Sequence, residues 1–349
     1  MLEGHTIVIA IASTRGTRNL TPDEGVLKRH GKWHHNQERP RNSTLKPFSG
    51  SSKALIVPWS PAVSARLRAA VQKFTGSISW APIATRWSSR FIRTSPNGDR
   101  RRRSSWQAGS RGDAAKWLRV DESRTVLPLR FALLTLLPGR SLRHWMAEPD
   151  IDQAYRQMGE LLRRIHSVPM PAYGYVLGHG IDKPRSTNAD YMTAAFEYVF
   201  RRFRDLGGDA DLGRHLQHLA EGSVDLLAES DGPVLCHDDF HQGNVLASHG
   251  GVGGLQLSGV IDFGNARAAD KLFELAKALF CSSHEDRRSH QPILEGYGQV
   301  DHPDTERALW LYTLFHRIGM WCWLTKLGAD ATAEDGLGGL VRDLREMAS

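Results

Sequence analysis

Two short apolar segments, Val234-Leu-Cys236 and Gly259-Val-Ile261, each run without a spacer into a polar cluster. The clusters are His237-Asp-Asp-Phe-His-Gln-Gly-Asn244 and Asp262-Phe-Gly264. No other feature of the chain constrains its fold as tightly. A brief apolar run with polar residues at its end reads as a short buried strand. The residues just past such a strand lie on a loop held by a rigid scaffold, where reactive side chains are usually carried. Asp239, Asn244 and Asp262 meet in one cleft if the two strands lie near each other. Singly, each of these residue types is common in turns, where it caps and solvates backbone. Jointly, each cluster directly behind an apolar strand, they point to a site.

The three side chains suit one chemistry. Transfer of a phosphoryl group needs a carboxylate to accept or orient the proton of the attacking hydroxyl, and oxygen ligands that hold magnesium against a triphosphate. Asp239 is placed for the first role. Asn244, five residues on in the same loop, and Asp262, behind the second strand, are placed for the metal. The order catalytic Asp, then Asn, then Asp-Phe-Gly is that of kinases.

His237-x-Asp239-x-x-x-x-Asn244 followed by Ile261-Asp262-Phe263 resembles the aminoglycoside phosphotransferase family, a branch of the protein-kinase-like fold. The resemblance implies that Asp239 is catalytic, that Asn244 and Asp262 bind Mg²⁺, and that His237 braces the loop. It also implies helix-start and loop-bracing roles for Asp270 and Glu274. Leu136-Leu-Pro-Gly-Arg140 is similar to the family's link between lobes, with Thr135 to Leu137 against the adenine of ATP. Gly159 to Ser167 is similar to a helix leading toward the acceptor region. The match runs over roughly residues 126 to 330. Two departures stand out, since the family usually has Gly where Asp238 stands and Pro where Gln242 stands. Asp238 adds a negative charge beside Asp239, which either disfavours ionisation of its neighbour or helps to bind a cation. The spacing from Asn244 to Asp262 is long, and Ser248 to Gly254 reads as an extended hairpin turn that absorbs the extra residues.

The rest of the body is helical in pattern. Phe131 to Leu137 is a strand candidate stopped by Pro138-Gly139, and Ser141 is placed to cap a short helix through Trp145. Helices are expected over Asp152–His166, Tyr191–Phe203, Leu212–Leu227, Leu272–Phe280 and Glu306–Leu327. Trp310, Trp321 and Trp323 read as core or pocket wall.

Charge divides the chain. Residues 1–125 carry 23 Lys and Arg against 8 Asp and Glu, a net +15, while the remaining 224 carry 22 against 30, a net −8. The front holds six of the ten tryptophans and Arg100 to Arg103, with no sustained period of 2 or 3.6. Its Arg, Ser and Trp excess is what a shifted reading frame in a GC-rich gene would produce. Short strands are expected at Ala54–Val57 and Ser77–Trp80, and a basic helix at Val63–Phe74. A kinase lobe needs a lysine for the α and β phosphates; Lys116 is the first candidate and Lys53 the second. No Gly-x4-Gly-Lys-Ser/Thr run is present, so a P-loop enzyme is not indicated. His30, His34 and His35 read as surface residues, and Arg100 to Arg103 as a solvated loop rather than a nucleic-acid contact. The greasy stretch Thr6 to Ala12 follows Glu3 in place of a basic start, which argues against secretion. Three widely spaced cysteines, Cys236, Cys281 and Cys322, form no CxxC pair and fit a reducing cytoplasm.

These readings give an α+β, protein-kinase-like two-lobe fold. A divergent or disrupted, partly disordered nucleotide lobe spans 1–130, a link 131–140, and a helical catalytic and substrate lobe 141–349. The expected activity is ATP- and Mg²⁺-dependent phosphorylation of a hydroxyl on a small molecule, an aminoglycoside or another antibiotic. The acidic body favours a cationic acceptor, with no nucleic acid and no membrane. The alternative is a kinase-like binding protein that has lost a working nucleotide lobe. A third reading, a basic nucleic-acid-binding protein built on residues 60–125, would not depend on Asp262.

Overall fold

The computed structural model describes residues 7–12, 114–115, 117–121, 123, 125, 130–177, 180–250, 254–329 and 336–349. Lys53, Lys116, the His30 to His35 group, Arg100 to Arg103, and the elements expected at 54–57, 63–74 and 77–80 lie outside the described residues.

Three strands make a first antiparallel sheet in the order β1-β3-β2: β1 Ile7–Ala12, β2 Trp117–Asp121 and β3 Arg130–Thr135. Ile7–Ala12 of the greasy stretch is thus a strand, its Ile11 opposite Phe131. Phe131 and Ala132 are fully buried. Leu136 and Leu137, expected within the same strand, lie past its end because Pro138 has no N–H for a ladder. The link then turns at Gly139, whose φ of 96° favours glycine. A Cβ there would stand 2.4 Å from the Ala247 carbonyl oxygen.

β4 Arg140–Ser141 pairs with β8 Val245–His249, which pairs in turn with β9 Leu255–Val260. The β8–β9 hairpin is closed by Gly250 N–H donating to Gly254 O. Its register sets Val245 opposite Val260, and Ser248 and His249, expected in the turn, continue strand β8 opposite Gln256 and Leu255. A third sheet has the order β6-β5-β10-β7, with β5 Tyr173–Leu177, β6 Gly180–Arg185, β7 Val234–Cys236 and β10 Arg267–Ala269. The β5–β6 hairpin was not expected: Pro184 and the charged residues around it hide its alternation.

The helices are α1 Ile151–His166, α2 Asn188–Asp205, α3 Ala210–Glu221, α4 Lys271–Glu285, α5 His290–Tyr297, α6 Thr305–Lys326 and α7 Leu337–Met347. α1 buries Tyr155, Met158, Leu161, Leu162 and Ile165, the stripe that the 3.6 period predicts. Each such burial contributes about 1.5–3 kcal/mol. α1 lies against α5 so closely that neither backbone leaves room for a side chain at the crossing. A Cβ on Gly159 would sit 2.2 Å from Ile293 O, and one on Gly296 1.9 Å from Arg156 O. The helix expected over Leu212–Leu227 is in fact two elements: α3 stops at Glu221, and Val224–Glu229 is a separate 3₁₀ segment. Gly222 and Ser223 break it, Ser223 Oγ donating back to Leu219 O. In α6, Trp321 is buried against Phe203 and Trp310 packs at the core edge, whereas Trp323 is exposed. Among the described residues, no helix is long and apolar enough to cross a membrane.

Candidate active site

The two strands predicted from the sequence do deliver their loops to one place. β7 ends at Cys236, and His237 turns inward, fully buried. Its Nδ1 accepts the Asp239 N–H at 3.2 Å, which leaves the proton on Nε2 to donate to Ile261 O at 2.7 Å. One imidazole therefore joins the loop carrying Asp239 to the residue before Asp262, and its ring packs 4.5 Å from Phe263. The second tie is backbone: Ile261 N–H donates to Asn244 O at 2.9 Å. Asn244 Nδ2 donates to Asp239 O at 2.8 Å and reaches Asp239 Oδ2 at 3.3 Å. Asp239 and Asn244 are thus tied by hydrogen bonds to each other and to Ile261, the residue before Asp262, at the open end of the β8–β9 hairpin.

Asp262 adopts the left-handed conformation, φ 71° and ψ 53°, and is largely buried. A non-glycine residue there costs on the order of 1 kcal/mol, and such strain gathers at functional sites. Since Asn244 spends its amide N–H on Asp239, its carbonyl Oδ1 is the atom left to offer a cation. With the Asp262 carboxylate this makes an all-oxygen donor set, which suits Mg²⁺ and not a softer metal.

Behind the loop, Glu274 does the bracing that its motif implied. Its Oε1 accepts the Asp238 N–H at 2.5 Å, and its Oε2 accepts the His237 N–H at 2.8 Å. His166 Nε2 donates to the same Oε2 at 2.9 Å, with Tyr297 OH on His166 Nδ1 at 2.7 Å. Asp270 caps α4 through its carboxylate on the Leu272 N–H at 2.6 Å. His166, Cys236 and Glu274 also bring three metal-ligand atoms within 4.8 Å of one another. The Glu274 oxygens, however, already accept three hydrogen bonds, so this cluster is a brace.

The departures from the family pattern also find their partners. The Asp238 carboxylate meets Arg267 and Lys277, so the cations it binds belong to the chain itself. Burial pushes its pKa up, but Arg267 and Lys277 outweigh that and hold it below the usual carboxylate value. Gln242 is buried and donates through Nε2 to Ser282 O at 3.1 Å, while its backbone O accepts from Ser141 Oγ at 2.9 Å. Ser141 does not cap the following 3₁₀ turn, as was expected; its hydroxyl serves the loop instead. Beside Asp239, His241 Nδ1 lies 3.2 Å from Glu285 Oε1, and Arg143 Nε donates to Glu285 Oε2 at 2.9 Å. Burial raises the Glu285 pKa, but hydrogen bonds from His241 and Arg143 reverse this and bring it down to about 2.

Sequence reasoning missed Arg143, His166, His241, Arg267, Lys277 and Glu285. A single arginine among the small residues Asn265 to Ala269, just past Asp262, and Lys277 one turn after Glu274 were the available signals. Thr135 to Leu137 lead into the β4 strand that rests on the same hairpin, and the Pro138 carbonyl accepts from Ser258 Oγ.

A model of the phosphotransferase enzyme family (APH) matches residues 100–311. No curated protein matches the chain in sequence. Among solved structures, a thermostable mutant of aminoglycoside phosphotransferase APH(4)-Ia, in ternary complex with ADP and hygromycin B, is similar with a TM-score of 0.54 at 16% identity. That match covers 72% of this chain and 82% of the other. Aminoglycoside phosphotransferase APH(4)-Ia itself gives a TM-score of 0.52 at 16% identity, over 70% of this chain and 80% of that one. Likeness at this identity establishes the kinase-like aminoglycoside phosphotransferase fold, and the family match, which spans more than half of the sequence, establishes membership: the chain belongs to the phosphotransferase enzyme family.

Proposed function

We propose that this phosphotransferase moves the γ-phosphoryl group of ATP to a hydroxyl on a cationic small molecule of the aminoglycoside kind. The observation that carries the reading is the joint tie of Asn244 to the Asp239 carboxyl and to the backbone of Ile261, beside Asp262. In this reading Asp239, whose side chain is part-exposed, orients and deprotonates the acceptor hydroxyl. Asn244 and Asp262 hold Mg²⁺, which supplies charge neutralisation at the β and γ phosphates when bound. Thr135 to Leu137 are assigned to the adenine, and Lys116, outside the described residues, is the lysine assigned to the phosphates. The division into a nucleotide lobe over 1–130, a link over 131–140 and a catalytic and substrate lobe over 141–349 belongs to the same reading.

The acceptor follows from charge: the −8 body attracts an amine-bearing alcohol. The similar APH(4)-Ia complex holds hygromycin B, which supports the choice. A reducing cytoplasm suits the reading, because Cys236, Cys281 and Cys322 form no disulfide.

The test is ATP consumption by the purified chain with Mg²⁺ against aminoglycosides, macrolides and small amino alcohols. Turnover with an amine-bearing acceptor is expected, and Asp239→Ala lowers it by about 10² to 10⁴-fold, the usual contribution of a general base. Retained turnover in Asp239→Ala removes the assigned role. Absence of both turnover and a Mg²⁺-dependent thermal shift with ATP leaves a binding protein without a working nucleotide lobe.

A further inference from the structure

Asp238 occupies a position that asks for glycine. Its φ is 57°, within the left-handed region, and its side chain is 3% exposed. A carboxylate buried this far from water is retained as an ion only when paired and hydrogen-bonded. Arg267 meets Asp238 Oδ2 through Nε at 2.7 Å and again through Nη2, so both prongs of the guanidinium converge on one oxygen. Lys277 Nζ donates to Oδ1 at 2.9 Å and to the Asp238 backbone carbonyl at 2.5 Å. That carbonyl belongs to the peptide bond joining Asp238 to Asp239.

The arginine is itself locked. Its Nη1 donates to Tyr191 OH at 3.0 Å and its Nη2 to Tyr175 OH at 2.6 Å. Its guanidinium lies 4.2 Å from the Tyr175 ring centre and 4.9 Å from that of Phe273. Arg267 stands on β10, five residues past Asp262, while Lys277 stands on α4, one turn past Glu274. Asp238 therefore bonds the loop carrying Asp239 to the strand that follows Asp262 and to the helix whose Glu274 braces that loop. A glycine at this position would satisfy the backbone and forfeit the carboxylate's ties to Arg267 and Lys277, leaving only the Lys277 bond to the backbone carbonyl.

We propose that Asp238, Arg267 and Lys277 are positioning residues for phosphoryl transfer, fixing the Asp238–Asp239 peptide and so the direction in which the Asp239 carboxyl meets the acceptor. The proposal rests on the reading of Asp239 as the residue that handles the acceptor proton. Asp238→Asn keeps the size and the hydrogen-bonding oxygen and removes the charge, and Asp238→Gly restores the residue that the φ favours. Arg267→Lys keeps a cation without the fork.

The test measures slow MgATP hydrolysis, with water as acceptor, and amide hydrogen exchange across residues 237–244 in the full chain. Asp238→Asn and Asp238→Gly are expected to lower kcat by about 100-fold, the loss that a displacement of roughly 1 Å brings. KM for ATP stays within threefold and exchange in 237–244 quickens, while Arg267→Lys recovers part of the kcat that Arg267→Met loses. If Asp238→Asn does not fold, the Arg267 pair supplies the same comparison. Unchanged kcat with unchanged exchange overturns the proposal, as does a loss confined to KM or equal to the unfolded fraction. If wild type consumes no ATP, the phosphotransferase reading fails by itself, and the exchange of 237–244 alone decides whether the triad positions the loop.

Discussion

Glu274 is the side chain on which the candidate site leans most heavily. It is fully buried, and its two oxygens accept from the backbone of His237 and Asp238 and from His166. Glu274→Gln keeps the volume but exchanges one oxygen for an NH₂ group. Whichever way the amide turns, a donor then faces a buried donor. If NH₂ faces Asp238, that N–H loses its partner; if it faces His166 and His237, two donors do. A buried donor left unmade costs about 1–3 kcal/mol, and more where the lost acceptor was charged. We therefore expect a destabilisation of about 2–3 kcal/mol, the amide choosing the less costly orientation. In a domain of this size that is a fall in melting midpoint of about 5–10 °C. Thermal denaturation followed by far-UV circular dichroism, with urea titration as a second probe, checks the figure. A midpoint within 1 °C of wild type would refute the reasoning, because it would mean that the three hydrogen bonds are not made or are replaced by water. Glu274→Ala leaves all three donors without a partner and should cost more than Glu274→Gln; the reverse order would equally contradict the geometry.

Two further effects follow from the same coordinates. Glu285 has a folded-state pKa of about 2 against an ordinary 4.5, with burial opposed by His241 and Arg143. Its stabilising contribution is therefore present above pH 4.5 and is lost as pH falls from 4.5 toward 2, by up to about 2–3 kcal/mol. Stability measured by urea titration between pH 6 and 3 should fall less steeply in Glu285→Gln than in wild type; parallel curves would exclude the assignment. Gly296→Ala drives a methyl group into Arg156 O and should force α1 and α5 apart, at about 1–3 kcal/mol, with a lower urea midpoint as the readout. An unchanged midpoint would show that the two helices have slack.

What the sequence determined by itself was local. Short apolar strands ending in His237, Asp239, Asn244 and Asp262, and the apolar stripe of α1, depend on residues a few positions apart and on the periods 2 and 3.6. These were legible, and the helix predicted through Leu227 failed only where Gly222 and Ser223 interrupt it. What tertiary structure alone decided was partnership over distance. His166 meets Glu274 across 108 residues, Tyr155 meets Asp286 across 131, and Asp238 meets Arg267 across 29. No period links such positions: they become neighbours only when the helices and sheets pack, and the burial that packing brings is what turns their charges and hydrogen bonds into constraints on the loop.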